Sequence, residues 1–326
     1  MNDDAVAPVV AAMLVLAVIV TAFSAWNAIL LPSLKEQSEM VQDREVQQAF
    51  SRFSSDIVDA VSLRRDLTFS EPLPLGGGGI LFSPLTSSGT LRVEGEPVPL
   101  YRILITEGAT PERIAEGRMI RFSYQPVGDF WLDQGYTWQY GFVNVTKGSS
   151  RTGTGIPMIT TPLAFASMDD VYRKKSIQDF ANSLVVVEAE PWYNSTGNCS
   201  RITITSVTFN REPGSSYLSS NGIGILELTA ESTSPSVFGV EGISSPDSLA
   251  IRVNRSENKP FSLGLYERVN ESFSEIAATY RYNIAHSFQE APFPAYYNET
   301  SLAPVPGMLP FTVTHRHIAI NVSVAG

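Results

Sequence analysis

The chain opens on a polar tip, Asp3 and Asp4, and then carries no charged side chain until Lys35. The run from Ala5 to Leu34 is apolar or small almost throughout, with no side that collects polar residues. A helix needs about 20 apolar residues to cross a bilayer core. A helix that is apolar all round has no face to offer water. The pattern therefore predicts a membrane-spanning helix within residues 1–34. The run is also too long for the apolar core of a secretory signal.

After Pro32 the apolar positions change period. Met40, Val46, Phe50, Phe53, Ile57 and Val61 recur mostly at spacings of three and four, with Gln, Glu, Asp and Arg between them and no glycine from 33 to 66. That spacing predicts an amphipathic helix over 35–66. Pro32 would kink or restart the rod there, with Ser33 as a candidate cap. The stripe lacks the clean heptads of a coiled coil, so it is expected to dock on a soluble domain.

From Leu67 the pattern changes again. Pro72, Pro74 and Gly76 to Gly79 read as a loop. Short runs rich in β-branched and aromatic residues follow. The clearest are Tyr101–Ile105, Met119–Tyr124, Tyr136–Val145, Leu184–Ala189, Arg201–Phe209, Gly224–Ala230, Leu249–Val253, Tyr280–Ile284 and Phe311–Val324. Many short strands between turn signals predict a sandwich-like, antiparallel, all-β head over 67–326. A looser stretch, 147–175, is a candidate division within it. One further helix is expected from Leu263 to Thr279, with Leu265, Val269, Phe273 and Ile276 on one side. The fold class expected is thus α+β: a long N-terminal membrane helix, an amphipathic continuation docked on a β-rich head, and one additional short helix.

Composition narrows the function classes. Apolar residues make up 43% and aromatics 10%, enough for a sizeable core. The net charge is −10, so no bulk of cations is present to neutralise nucleic-acid phosphates. The single cysteine, Cys199, excludes an internal disulfide framework and a multi-cysteine metal site. Lys35 lies beyond the apolar run and Asp3–Asp4 before it, which by the positive-inside rule would put the bulk of the chain in the cytoplasm. Glu36 and Glu39 weaken that bias. Against it stand seven Asn-X-Ser/Thr tripeptides, at Asn144, Asn194, Asn198, Asn254, Asn270, Asn298 and Asn321, out of 14 asparagines. Such a surplus of glycosylation acceptors points to a single-pass protein of the cell membrane whose C-terminal domain is extracellular.

Chemistry is sparse. His315 and His317 alternate on one strand and would face the same side; the third histidine is His286. Two imidazoles alone do not make a metal site, and a solvated strand face is the expectation. Gly76 to Gly79 is followed by Ile80-Leu81-Phe82 rather than the Lys-Ser/Thr of a phosphate loop. Asp129, Asp133, Asp169 and Asp170 are paired carboxylates whose separation the sequence does not give. No catalytic residue, metal or cofactor is assigned. Phe130, Trp131, Tyr136, Trp138 and Tyr140 form an aromatic group. Of these, Tyr136, Trp138 and Tyr140 share a strand face, either as core or as an interaction surface for sugars or another subunit.

Two stretches carry a family likeness. NDDAVAPVVAAMLVLAVIV (Asn2–Val20) resembles the start of archaeal type IV pilin-like proteins, with Ala7 before Pro8 where that family usually has serine. FSYQPVGDFWLDQGYTWQYG (Phe122–Gly141) is similar to a stretch of secreted archaeal pilin-like proteins with β domains. The resemblance implies a helix that serves both as membrane anchor and as the packing core of a filament. It also implies a β-rich head outside the cell and a leader removed by a dedicated peptidase. Ala11, Ala12, Ala17, Ala22, Ser24, Ala25 and Ala28 would let such helices approach closely. The expected role is a pilin-like subunit or adhesin, with a tethered glycan-binding module or hydrolase as the alternative. The expected partners are the lipid bilayer, other pilin-like subunits through the N-terminal helix, and surface glycans, with no nucleic acid.

Overall fold

A computed structural model describes residues 6–77, 86–108, 110–127, 134–147, 159–162, 170–192, 199–212, 214, 216–238, 246–255, 259–290, 296–306 and 311–326. The rod begins as α1, Val6–Ala25, widens to a π turn over Trp26–Leu30, and continues as α2, Leu31–Leu63. Pro32 explains the widening. In a regular helix its ring would press on the carbonyl of Ala28, four residues back. In the wider turn the Leu31 N–H bonds the Trp26 carbonyl instead. The rod neither stops nor restarts, so Ser33 caps nothing: Leu30, which precedes α2, has helical dihedrals. The helix ends at Arg64, in the left-handed region with φ of 51°, its N–H on the Ala60 carbonyl.

The two halves of the rod meet different surroundings. Met13, Val18 and Phe23 of α1 are each at least 60% exposed. In α2, Val46, Ala49, Phe50, Phe53, Ile57, Ala60 and Val61 are buried. Met40, expected in this stripe, is exposed. It stands six residues before Val46, outside the three-and-four spacing. Lys35, Glu39 and Gln42 keep that spacing and turn inward in its place.

In chain order the described elements that follow are β1 (Leu67–Pro74), β2 (Ser88–Gly95), β3 (Tyr101–Glu107), β4 (Thr110–Gly117), β5 (Ile120–Val127), β6 (Gln134–Gln139), β7 (Phe142–Lys147), β8 (Ile159–Pro162), α3 (Asp170–Leu184), β9 (Val185–Trp192), β10 (Cys199–Arg211), β11 (Tyr217–Ser220), β12 (Ile223–Ser232), β13 (Ser236–Phe238), β14 (Ser248–Asn254), α4 (Lys259–Tyr280), β15 (Tyr282–Glu290), β16 (Tyr296–Pro304) and β17 (Thr312–Ala325). They form three sheets. The first runs β1-β12-β17-β10-β9, with β13 also on β17; the second β11-β2-β5-β6-β7-β8; the third β15-β16-β14-β3-β4.

Several expectations are corrected here. The pairing is not antiparallel throughout: β10 runs parallel to β17, Arg201 opposite Thr312 through Arg211 opposite Val322. A parallel pair needs a long crossover, and the chain between these strands supplies β11 to β16 on the way. The Pro72–Pro74 stretch is a strand, not a loop. It is the edge strand β1, where a missing N–H does not interrupt a ladder on both sides. The run Tyr136–Val145 is two strands, β6 and β7. They turn at Tyr140 and Gly141, both at positive φ (54° and 85°), with Gln139 opposite Phe142, which is the two-residue hairpin geometry. The looser 147–175 stretch contains β8 and leads into α3, whose buried side Ile177, Phe180, Ala181 and Leu184 form.

Aromatic rings join these layers. Phe122 of β5 lies 5.3 Å from Phe50 and 5.1 Å from Phe53 of α2, and stacks at 5.2 Å on Trp138 of β6. Trp138 lies 6.0 Å from Phe180 of α3 and 5.9 Å from Phe209 of β10. Phe180 and Tyr140 both reach Phe261 of α4. One hydrophobic cluster thus extends from Val46 to Val324.

Candidate functional site

Tyr136, Trp138 and Tyr140 form no interaction surface: their exposures are 0%, 0% and 6%. Tyr136 and Trp138 share a strand face, which α2 covers, whereas Tyr140 lies in the turn after β6 and packs on Phe261 of α4. Only the polar tips are accommodated separately. The Tyr136 hydroxyl donates to Asp43 Oδ1 at 2.8 Å, and Trp138 Nε1 donates to Ser54 Oγ at 3.1 Å. Burial, with the Asp43 carboxylate beside it, pushes the Tyr136 phenol above its ordinary range, so it stays a donor. Gln42 extends this polar joint. Its amide donates to the Tyr124 hydroxyl at 3.2 Å, and its oxygen accepts from Ser87 at 3.1 Å. Glu71 of β1 is paired with Arg52 of α2.

The histidine pair is also not a solvated face. His315 is 5% exposed, and Ser206 of β10, 0% exposed, lies 2.8 Å from His315 Nε2 and 3.3 Å from His317 Nδ1. The parallel register brings this about, placing Ser206 opposite His317 and Ile204 opposite His315. A serine beside an imidazole is the start of a nucleophile–base pair, but a sealed hydroxyl meets no substrate. His286 lies on β15 and is exposed. Among the described residues no cluster of three or more His, Cys, Asp or Glu could hold a metal.

Burial, helped by the neighbouring His317, lowers the His315 imidazole to about 4, and burial lowers His317 as well. The native state therefore holds these rings neutral. Below the ordinary histidine value of about 6.5 the unfolded chain takes up protons first. Stability is then full above that value and falls as pH drops towards 4. For His315 the loss is roughly 2–3 kcal/mol. Urea unfolding across pH 4–7 should show this slope in the wild type and a flatter one in His315→Gln. A pH-independent difference between the two would contradict the burial account.

The other predicted residues are scattered. Asn144, Asn270, Asn298 and Asn321 are half-buried, on β7, α4, β16 and β17. Asn254, at the end of β14, is 5% exposed, and its N–H bonds the Leu100 carbonyl at 2.7 Å. Its buried side chain leaves little room for a bulky glycan. Cys199 begins β10, opposite Trp192. Gly76 and Gly77 close against Ser87, whose N–H bonds the Gly77 carbonyl at 2.9 Å. Asn194, Asn198, Asp129, Asp133, Asp169, Phe130, Trp131 and Gly78–Gly79 lie outside the described residues.

The sequence reading missed the opposite face of the second sheet. A hollow of about 300 Å³ opens there, lined among others by Arg92, Glu94, Arg121, Ser123, Gln125 and Tyr217. Arg92 holds Glu94 at 2.7 Å and Arg121 holds it from the next strand. The Arg121 hydrogen bonds keep the Glu94 carboxyl below its ordinary range, assisted by the charges of Arg92 and Arg211. The only advance signal was the polar half of each strand's alternation.

Compared with known proteins, the chain matches no family model, no curated protein and no solved structure. What the structure itself defines is an α+β chain with one N-terminal helix long and apolar enough to cross a membrane, followed by a β-rich body.

Proposed function

We propose that the chain is a single-pass, membrane-anchored surface protein with a structural or interaction role, a pilin-like subunit or adhesin. Its β-rich head stands outside the cell and carries N-linked glycans. The observation that carries this reading is the division of one continuous helix. Its first part is unburied and apolar on every side; its second part sets a stripe against the β strands. At 1.5 Å per residue, the 20 residues of α1 measure about 30 Å, the thickness of a hydrocarbon core. Two polar side chains in and near it are tied to the helix itself, as an apolar solvent requires. Thr21 Oγ1 donates to the Ala17 carbonyl at 2.9 Å and Asn27 to the Phe23 carbonyl at 3.0 Å. Trp26 follows directly, a residue favoured at the membrane–water boundary.

Carbonate extraction and protease treatment of intact cells test this. The expected result is a chain that stays with the membrane pellet and loses its head to external protease. Its glycan mass should fall on sites other than Asn254. A chain released by carbonate, or a head untouched on intact cells, would contradict the reading.

A further inference from the structure

The outer face of the second sheet carries a row of polar side chains in direct cross-strand register. Tyr217 stands opposite Arg92, Arg92 opposite Ser123, Ser123 opposite Thr137, and Thr137 opposite Asn144. Four strand spacings make this row about 19 Å long. Beside it Gly135 leaves a gap between β5 and β7. A side chain there would stand 2.8 Å from the Tyr124 carbonyl, so the floor stays bare. The hollow described above lies over this floor.

The charge balance is unusual for a chain of net −10. Among the described residues Glu94 is the one carboxylate in the lining, and both lining guanidiniums converge on it. Arg121 uses Nε and one terminal nitrogen for Glu94, Arg92 one terminal nitrogen; the remaining donors have no partner among the described residues. The side chains of Arg92 and Arg121 are 59% and 49% exposed. Arg211 adds positive field at the same carboxylate. Tyr217 is the one aromatic ring in the lining that faces solvent, 62% exposed, at the end of the row.

We propose that this row is a binding site for an acidic saccharide, a chain bearing hexuronate units. The free guanidinium edges meet the sugar carboxylate, a geometry arginine makes well. The Tyr217 ring covers the apolar face of a pyranose. The hydroxyls of Ser123 and Thr137, each both donor and acceptor, match sugar hydroxyls. The site rests on the sheet face alone and does not depend on where the N-terminal helix resides.

The test is titration of the full chain in detergent micelles with tetragalacturonate, its neutral methyl ester and polyphosphate, at two salt concentrations. Tetragalacturonate should bind at least tenfold tighter than the ester and weaken with salt. Arg121→Gln and Arg92→Gln should each weaken it about tenfold. Tyr217→Ala should weaken the acid and the ester alike, with an unchanged melting temperature. Equal binding of acid and ester, equal binding of polyphosphate, no binding at all, or full binding by both arginine variants would each overturn the proposal. None of these outcomes bears on the membrane reading.

Discussion

Phe122→Ala is expected to destabilise the head by about 4 kcal/mol. The side chain is fully buried, and its ring meets Phe50, Phe53 and Trp138 within 5.3 Å. Truncating a buried Phe to Ala costs about 3–5 kcal/mol, through lost transfer energy and the cavity left behind. That range already includes lost ring contacts, each of roughly 0.5–1.5 kcal/mol, and three of them place this site near its middle. Collapse would do little to recover this. On one side stands the α2 stripe, on the other a sheet whose rows are fixed by their hydrogen bonds. Urea unfolding of the full chain in micelles, followed by tryptophan fluorescence, reads the loss. Phe122→Leu, which keeps most of the volume, should cost clearly less. A loss below 1 kcal/mol for the alanine variant would mean that α2 does not pack on this sheet.

That contact also marks how far the sequence could be read. The period of Val46, Phe50, Phe53, Ile57 and Val61 located a buried stripe, and the alternation of Tyr136 and Trp138 located a strand face. Neither said that the two cover each other. The partner of Trp138 lies some 85 residues earlier in the chain, and such pairing is a property of topology rather than of local pattern. The change of character along the rod was legible because uncharged and mixed segments differ sharply at Lys35, but the helix runs through that point from Leu31 without a boundary. Strand β1 was missed because Pro72 and Pro74 argue against a strand unless one knows that it is an edge. Helix α3 was missed because its buried residues, Ile177, Phe180, Ala181 and Leu184, sit in a stretch otherwise rich in polar residues.

The candidate sites were less legible for the same reason. His315 and His317 were correctly placed on one side of a strand. Their surroundings depend on a parallel register with β10, which brings Ser206 between them. The row from Tyr217 to Asn144 draws one residue from each of five strands. No single segment contains its signal. What sequence did provide was the binary pattern that turns these residues outward, and the net acidity against which a cationic hollow stands out.

Gly117→Ala should cost about 3–4 kcal/mol, although it adds one methyl group. Gly117 ends β4 directly opposite Tyr101 of β3, and the Tyr101 ring lies across it. A Cβ at this position would stand 2.0 Å from Tyr101 Cε1 and 2.1 Å from Cζ. Neither side can retreat. The ring is 1% exposed and its hydroxyl donates to the Val207 carbonyl at 2.7 Å. The backbone is tied as well: Arg118 N–H bonds Thr208 Oγ1 at 3.1 Å, and the Phe209 N–H bonds the Arg118 carbonyl at 3.0 Å. Overpacking a tight site costs about 1–3 kcal/mol. Displacing the phenol leaves a buried carbonyl without its donor, roughly another 1–3 kcal/mol. Gly95→Ala, with open space around its new Cβ, should by contrast stay within about 0.5 kcal/mol. Tyr101→Leu removes the obstructing ring, so the Gly117→Ala change should cost much less in that background than in the wild type. The two losses would then fall well short of additive. Full additivity in this double-mutant cycle would show that the Tyr101 ring does not lie over Gly117, and the packing of the third sheet against β10 would need to be redrawn.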